Sequence, residues 1–512
     1  PLQRLSRGIP RMIIAHDLGT TGNKASLHDD DARLRASVTV PYPANFASGG
    51  IAEQDPRDWW AAVVEATRRL LAESGADPAS VTGLVVSGQM MGAVLLDASY
   101  EPVRPAIIWA DTRSAAQADR LSRALGDDAA YRLLGHRINP TYTVEKVMWV
   151  RDNEPETWSR VRHICLAKDY IVQHLTGVLA TDRSDASGTN AYDQAAGTWS
   201  SAVLAAAELD ARLFPEIVES THVVGPLLAD VASTLGLPAT VRVVMGGGDG
   251  PIAAVGSGIV SPEDGAYVCL GTSSWISFAS DTPVLDPLMR TFTFNNVVPG
   301  SYVPTATMQA GGASVQWIAE ALSQDPNSPD VSRLVAEVET GADGNDLDTD
   351  GLYFLPYLLG ERSPYWNPDA RAAFVGIARH HGRAHLTRAV LEGVAFNLLT
   401  CIQAFRESGA TIDRIDAVGG GASGDAWLQI LADVWGVPVR RRSVVEEANS
   451  LGAAVTGAVG LGLTDFAAAR ALSEVTAEFV PDSGRHGAYA ARHAVFVDAY
   501  AHLEPWFTRS VR

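Results

Sequence analysis

The sequence predicts an α/β protein in which two domains flank a cleft. A chain of 512 residues exceeds what one hydrophobic core usually covers, so at least two domains are expected. Short apolar strands at 83–86 and 242–245 alternate with helical segments such as 55–74, which is typical of the α/β class. A similar glycine-rich turn occurs twice, about half a chain apart, and this weak repeat indicates two domains of related design.

The segment 55–74 carries the clearest helix signals. Asp55 is a candidate N-cap, Pro56 takes the first helical position and Gly75 follows the last one. Proline is tolerated there because the first N–H groups of a helix have no intrahelical partner. We therefore expect a helix that begins after Asp55 and ends at Gly75.

The composition excludes several classes of protein. A hydrophobic fraction of 46% and a charged fraction of 19% are those of a globular enzyme. The formal net charge of -19 provides no positive field for nucleic acid, and only Lys24, Lys146 and Lys168 carry ammonium groups. A nucleotide is still compatible with this charge, because backbone N–H groups and a divalent cation can neutralise phosphates.

Cysteine usage and hydropathy predict a cytoplasmic protein without a membrane partner. Cys165, Cys269 and Cys401 lie far apart between apolar residues, as reduced core thiols do. No continuous apolar run reaches the roughly 18 to 20 residues of a membrane span, and residues 1–11 lack the apolar stretch of a secretory signal. The oligomeric state, for which a homodimer is one option, is not specified by these patterns.

Two turns are candidate phosphate sites. The first, DLGTTGNK, follows an apolar strand and places Asp17 beside a glycine turn that contains Thr20 and Thr21. Such an Asp can hold Mg²⁺ while the turn amides hold phosphate, although an ordinary Asx-type turn is the alternative interpretation. The second turn is GTSS at 271–274, after the strand 266–270. Its presence favours the phosphate role, because the same device is then used twice.

A third glycine cluster, AVGGGASGDAWLQILADVWG, begins at Ala417. It predicts a strand that runs through glycines into a helix from near Ser423 to Gly436. Glycines allow a flat base and ribose to lie against the main chain, and the helix N-terminus favours negative charge. Close packing between helix and strand is the alternative interpretation.

Asp249 lies in VVMGGGDGPIAAVG, a strand that leads through glycines into an alanine-rich helix. A carboxylate at such a position suits a general base that takes a proton from a substrate hydroxyl as the hydroxyl attacks phosphorus. The alternative interpretation is that Asp249 is a helix N-cap, and the two roles are compatible. No GxxxxGK[ST] sequence occurs, which excludes a Walker-type phosphate loop.

With these motifs the sequence resembles the FGGY carbohydrate kinases, which include xylulokinase, glycerol kinase and gluconate kinase. The resemblance runs from about residue 12 to at least residue 462. It includes TYTVEKVMWVRDN from Thr141, LPYLLGERSPYWNPDAR from Leu355 and AAFVGIARHHGRAHLTRAVLE from Ala372. Thr141 replaces the residue with which the family's first pattern usually opens.

The resemblance implies two actin-like ATPase (ribonuclease H-like) domains that flank a catalytic cleft. The N-terminal domain, 12–256, would hold the sugar and phosphates, and the C-terminal domain, 257–470, would hold the nucleotide. The domain membership of the C-terminal helices, 471–512, is left open.

The resemblance also implies roles for individual residues, with ATP and Mg²⁺ as cofactors. Asp249 would be the general base, and Asp17 would be a catalytic residue that holds the metal. The residues implied to contact the sugar or polyol are Met90, Met91, Trp109, Asp111 and Asp249. The residues implied to bind ATP are Thr20, Thr21, Lys24, Gly271, Thr272, Gly311, Gly312, Gly420, Gly421, Ala422, Ser423 and Asp425.

The implied reaction is ATP-dependent phosphorylation of a sugar hydroxyl, most simply of D-xylulose to D-xylulose 5-phosphate. Xylulokinases usually have GQMHG where this chain has GQMMG, so the thioether of Met91 replaces an imidazole. A kinase for another ketose, a polyol or a sugar acid (gluconate- or erythritol-like) is therefore a second hypothesis.

For the residues implied to contact the sugar, a purely structural role is the alternative interpretation. Met91 could fill the core, and Trp109 and Asp111 could be structural. A sensor that binds sugar without catalysis is a third hypothesis, against which the joint presence of Asp17 and Asp249 with Lys24 and Thr272 argues.

Overall fold

The structure is a computed structural model that describes residues 11–323, 331–340, 349–443 and 447–510. The strands of the first half are β1 (Met12–Leu18), β2 (Gly22–His28), β3 (Leu34–Pro41), β4 (Asn45–Ala47), β5 (Ile51–Gln54), β6 (Val81–Gly88), β7 (Val94–Leu96), β8 (Ala106–Ile107), β9 (His163–Cys165), β10 (Ala180–Asp182), β11 (Tyr192–Asp193), β12 (Thr198–Trp199), β13 (Glu216–Val218), β14 (Val223–Pro226) and β15 (Arg242–Gly248). Its helices are α1 (Pro56–Ser74), α2 (Ala115–Leu125), α3 (Asp127–Leu134), α4 (Thr143–Asn153), α5 (Pro155–Arg160), α6 (Ala167–Thr176), α7 (Arg183–Ser187), α8 (Ser201–Ala207), α9 (Ala229–Leu235) and α10 (Asp249–Gly256).

The second half is built in the same way. Its strands are β16 (Ala266–Leu270), β17 (Ser274–Phe278), β18 (Phe292–Asn295), β19 (Tyr302–Met308), β20 (Tyr353–Leu355), β21 (Ala373–Val375), β22 (Ile415–Val418), β23 (Val439–Arg442) and β24 (Val475–Phe479). Its helices are α11 (Gly312–Leu322), α12 (Val331–Thr340), α13 (Arg383–Glu407), α14 (Asp425–Trp435), α15 (Ala448–Gly460), α16 (Ala468–Leu472) and α17 (Ser483–Ser510).

Each half has one large sheet, and the two sheets repeat a single plan. The strand orders are β14-β15-β6-β1-β2-β3 and β18-β19-β17-β16-β22-β23-β24. In the first sheet β1, β2 and β3 are antiparallel, and β6 and β15 extend β1 in parallel. In the second sheet β16, β17 and β19 are antiparallel, and β22 and β23 extend β16 in parallel. The predicted α/β class is confirmed, and the weak sequence repeat corresponds to a repeated topology.

Helix α1 forms as its local signals predict. The Asp55 carboxylate accepts a hydrogen bond from the Arg57 N–H at 3.0 Å, and Gly75 ends the helix with a left-handed φ of 66°. Trp59 and Leu70 on the buried face pack against the first sheet. Burial of one large apolar side chain of this kind contributes about 1.5 to 3 kcal/mol, so this face holds the helix on the sheet.

Helix α15 comes from the second half of the chain but packs on β1 and β6 of the first sheet and on α10. The two helices meet through glycines. A Cβ added to Gly256 would lie 1.7 Å from the Ala448 carbonyl oxygen, and one added to Gly452 would lie 2.0 Å from that of Ile252. This close approach of backbones joins the two halves.

The C-terminal segment extends the second half. Strand β24 pairs with β23, and α17 packs on α13 and α14. The domain bounds 12–256, 257–470 and 471–512 stay predictions, since α15 contributes to the core of the other half.

Helix α13 is the central helix of the second core. It is long and apolar enough by length and composition to cross a membrane, but 89% of its most apolar window is buried inside the protein. It packs against α14, α11 and β20. Its apolar composition is therefore that of a core helix. The three cysteines are free, and Cys165 and Cys401 are buried as predicted for core thiols, whereas Cys269 is half-buried.

Candidate active site

A cavity of about 190 Å³ lies where the two halves meet. The first half contributes Met90, Met91, Trp109, Asp249 and Gly250. The second half contributes Tyr267, Trp275, Ser277, Phe292, Phe294, Thr305, Thr307, Arg362 and Asn449. Four of the five residues predicted on the sugar side are thus brought together here. Met90 is buried, whereas Met91 is half-buried against the cavity, so Met91 is not filler of the inner core.

Asp249 is the first residue of α10, directly after β15. Gly248 holds the N-cap position, so the Asp249 side chain is not the cap of this helix. Its Oδ1 accepts a hydrogen bond from the Gly250 N–H at 2.8 Å. Burial, together with the nearby negative charge of Asp17, raises the pKa of Asp249 to about 7. A carboxyl group with this pKa can both accept and release a proton near neutral pH.

A buried ionic cluster supports the turn that carries Asp249. Lys168 Nζ lies 2.7 Å from Asp169 Oδ1 and 3.2 Å from Asp182 Oδ1, and all three side chains are fully buried. Ser184 Oγ donates to Asp182 Oδ2 at 2.5 Å and accepts from the Gly248 N–H at 3.0 Å. The position of the turn is therefore coupled to a charge cluster beneath it.

The first turn lies between β1 and β2, as predicted. Asp17 is half-buried at the end of β1, and burial raises its pKa. Asn449 Nδ2 donates to Asp17 Oδ1 at 3.4 Å, and Lys24 Nζ forms an ion pair with Glu447 Oε1 at 2.8 Å. Both partners come from the start of α15 or the residue before it. The second half therefore contacts the first turn directly.

Trp109 connects this turn to the cavity. Its Nε1–H donates to Thr20 Oγ1 at 2.9 Å, and Gln54 Nε2 donates to the Thr20 carbonyl oxygen at 2.6 Å. Thr21, the next residue, is exposed. The indole thus lines the cavity while it holds the turn in place.

The second turn is packed on the N-terminus of α11. The N–H groups of Gly312 and Ala313 donate to the carbonyl oxygens of Gly271 and Thr272 at 2.8 and 3.0 Å. A Cβ on Gly311 would lie 1.9 Å from Ser274 Oγ. Glycines at the start of α11 are thus required for the turn to approach this helix.

A second cavity of about 460 Å³ lies beside α11 and α14. It is lined by Gly312, Val315, Gln316, Val331, Val335, Gly420, Gly421, Ser423, Gly424, Asp425 and Trp427. A Cβ on Gly420 would meet nothing within 4 Å, whereas one on Gly421 would lie 2.5 Å from the Trp427 ring. The backbone of Gly420 is therefore accessible from the cavity. Gly421 instead allows the backbone to pack closely against the Trp427 ring.

Asp111 and Ala422 are buried and lie outside the lining of both cavities. Asp111 is fully buried, accepts the Ala52 N–H at 2.7 Å and pairs with Arg113 at 2.7 Å. Ala422 is fully buried, and its carbonyl oxygen accepts a hydrogen bond from Arg441 Nε at 2.7 Å. Their assignment to binding sites stays a prediction.

The sequence reasoning missed the aromatic and cationic lining from the second half. Phe292 and Phe294 alternate along β18, which places both on one face and is a signal that could have been used. Trp275 Nε1 donates to Tyr267 Oη at 2.9 Å, so the polar ends of these two rings satisfy each other. Arg362, in the segment LGERSP, lies with its guanidinium 5.5 Å from the Phe292 ring centroid.

Comparisons with known proteins agree with this geometry. The family model for the N-terminal domain of the FGGY family of carbohydrate kinases matches residues 12–256, and the model for its C-terminal domain matches residues 266–461. A xylulose kinase from Lactococcus lactis is 34% identical over 472 residues, which cover 91% of this chain and 90% of the relative.

Solved structures agree over nearly the whole chain. A xylulose kinase from Brucella ovis superposes with a TM-score of 0.90 at 31% identity and covers 97% of this chain and 100% of its own. A gluconate kinase from Lactobacillus acidophilus has a TM-score of 0.90 at 26% identity and covers 98% of this chain and 99% of its own. The predicted two-domain kinase fold is confirmed.

The buried cluster under the Asp249 turn leads to a stability prediction. Lys168→Met removes the cation shared by Asp169, Asp182 and Asp185 and should lower the free energy of unfolding by about 3 to 5 kcal/mol, because buried carboxylates lose their partner. Urea unfolding followed by tryptophan fluorescence measures this change. The control is Arg212→Met, which breaks an exposed pair and should leave the midpoint unchanged. Equal midpoints for both variants would contradict the prediction.

Proposed function

The chain belongs to the FGGY family of carbohydrate kinases, and on that premise we propose that it transfers the γ-phosphate of ATP to D-xylulose. The product is D-xylulose 5-phosphate, and the acceptor is the terminal primary hydroxyl. The observation that carries the proposal is Asp249, a carboxylate with a pKa of about 7 that faces a cavity between the two halves.

Asp249 is proposed as the general base. The sugar hydroxyl donates its proton to the Asp249 carboxylate while its oxygen forms a bond to the γ-phosphorus. The bond from phosphorus to the bridging oxygen breaks, and ADP leaves with that electron pair. The start of α10 is a favourable position for the carboxylate before the proton moves, because helix N-termini stabilise negative charge.

Asp17 is proposed to hold the divalent cation, and Mg²⁺ is the proposed ion. The family implies ATP with a divalent metal, and the chemistry of the residues fits Mg²⁺, which prefers a few carboxylate oxygens and the phosphates of its nucleotide. When bound, Mg²⁺ neutralises charge that builds on the phosphate oxygens. Asn449 orients the Asp17 carboxylate through its hydrogen bond to Oδ1.

The phosphates and adenosine are proposed to lie along the three glycine segments. The turns that contain Thr20 and Thr272 present backbone N–H groups to the phosphates. Lys24 would exchange its ion pair with Glu447 for the γ-phosphate. The cavity of about 460 Å³ beside Gly420 is wide enough for a nucleoside and offers bare backbone for it to lie against.

A sugar acid is the second candidate substrate, and Arg362 is the observation that favours it. Its guanidinium is the one cationic group among the lining residues of the cavity of about 190 Å³. A guanidinium binds a carboxylate in bidentate fashion, so the carboxylate of an aldonate could take this position. The similarity to the gluconate kinase of Lactobacillus acidophilus is compatible with this candidate. The larger set of xylulose kinase relatives favours the ketose.

A substrate panel tests the proposal. ADP release is recorded with ATP, Mg²⁺ and each of D-xylulose, D-ribulose, erythritol, glycerol and D-gluconate. We expect the highest kcat/KM for D-xylulose. If kcat/KM were highest for D-gluconate and Arg362→Met abolished that activity, the proposed substrate would be a sugar acid in place of D-xylulose. If none of these compounds stimulated the release of ADP, the protein would not be a kinase for this range of substrates.

The general base is tested by substitution and pH. Asp249→Asn should lower kcat by about 10² to 10⁴ and leave nucleotide affinity unchanged, because the carboxamide does not accept the proton. The wild-type kcat/KM should fall about tenfold per pH unit below the pKa of Asp249, because only the carboxylate form is a base. The residual activity of Asp249→Asn should lack this acid limb. A variant that retains both wild-type turnover and the limb would exclude Asp249 as the base.

Met91→His tests the departure from the xylulokinase pattern in the segment GQMMG. Met91 has a positive φ of 64°, and histidine tolerates this region better than most residues, so the exchange should not disturb the loop. One added hydrogen bond should raise kcat/KM for D-xylulose relative to erythritol by about 2- to 12-fold. Paired kinetics on the two sugars measure this ratio, with thermal melting as the control for stability. An unchanged ratio in a stable variant would mean that residue 91 does not select the sugar.

A further inference from the structure

The loop that carries Met90 and Met91 has an unfavourable backbone conformation. Met91 has a φ of 64°, in the left-handed region that residues with a Cβ rarely adopt. Both side chains line the cavity proposed for the sugar. A strained residue at a binding site persists only where its surroundings hold it. The groups that hold Met91 therefore also position the sugar contacts.

Helix α4 supplies these groups from two side chains at its N-terminus. Lys146 Nζ donates to the Met91 carbonyl oxygen at 2.7 Å and also to the Thr141 carbonyl oxygen. Thr143 Oγ1 donates to the Gly92 carbonyl oxygen at 2.9 Å. Both side chains are buried, so water does not compete for these bonds. Two successive carbonyls of the loop are thus tied to one helix.

The chemistry of Lys146 suits hydrogen bonds to carbonyl oxygens better than an ion pair with a carboxylate. Burial lowers its pKa to about 7, so a large share of the side chain is the neutral amine near neutral pH. A neutral amine has two hydrogens, and its nitrogen contacts two carbonyl oxygens. Lys146 lines neither of the two cavities described above. A buried amine is costly, and packing alone would be served by an apolar residue.

The loop also touches the turn of the general base. A Cβ on Gly248 would lie 2.6 Å from Met90 Cγ, and one on Gly188 would lie 2.9 Å from Met90 Cε. Met90 is thus packed between α7 and the start of α10. A change in the backbone at Met91 would therefore be transmitted to sugar binding beside Asp249.

We propose that Lys146 is a positioning residue that holds Met91 in its left-handed conformation and thereby sets the shape of the sugar cavity. The kinetic part of this inference rests on the proposed function, while the structural part is independent of it. Lys146 acts through the Met91 carbonyl and does not touch the substrate.

The first experiment determines crystal structures of the wild type and of Lys146→Met. We expect residue 91 to leave the left-handed region in the variant, because its carbonyl oxygen then loses the hydrogen bond from Lys146. Lys146→Gln is prepared in parallel, so the test does not depend on the folding of one variant. An unchanged positive φ at residue 91 would overturn the proposal. This result is independent of which sugar is phosphorylated, so it separates failure of the inference from failure of the xylulose assignment.

The second experiment is a double-mutant cycle with D-xylulose as the probe. Lys146→Met should raise the KM for D-xylulose about 10-fold, the factor that corresponds to the cost of one left-handed residue. The KM for ATP should stay within about 2-fold, because the nucleotide cavity is separate. In the Met91→Gly background the same change should alter the KM for D-xylulose by less than about 2-fold, because glycine adopts positive φ freely.

The cycle distinguishes positioning from general structural support. A support role would lower the active fraction, and hence the apparent kcat, with both KM values unchanged. An equal rise in KM with Met91 present and with Met91→Gly would show that Lys146 acts on the site by another route. Either of these two results would contradict the proposal.

Discussion

The contact between α10 and α15 is the constraint on which the site depends. The two backbones approach closely because Gly256 and Gly452 have no side chains. Helix α10 begins with Asp249, and α15 carries Asn449 in its first turn. Their packing therefore brings Asn449 from the second half into the cavity of Asp249 and against Asp17. A bulkier residue at this crossing would separate the groups that the proposed chemistry needs together.

The electrostatics of the site follow from burial in an acidic protein. The chain has a net charge of -19, and two carboxylates, Asp17 and Asp249, lie close enough to influence each other. Burial raises the pKa of both, and this prepares Asp249 to accept a proton at neutral pH. Lys24 is neutralised by Glu447. The proposed phosphate binding would therefore use backbone N–H groups, a metal ion and Lys24 released from Glu447 more than the net field of the protein.

Much of the fold could be predicted because its signals are local. The strand 266–270, the helix that begins after Asp55 and the helix that ends at Gly436 depend on residues within a few positions of each other. The aromatic lining and Arg362 could not be found in this way. Phe292 lies beside Met90 because the orders of two sheets bring them together across about two hundred positions, and no short sequence window contains that information.

The sequence by itself determined the family, the repeated turns and the residue types available for catalysis, because these depend on local order along the chain. Only the tertiary structure decided between alternatives for single residues. Met91 lines the cavity, Asp111 is buried in an ion pair, and Gly420 is open where Gly421 is packed. The reason is physical. Whether a side chain meets solvent, a cavity or a neighbour is set by segments that are distant in sequence and adjacent only after folding.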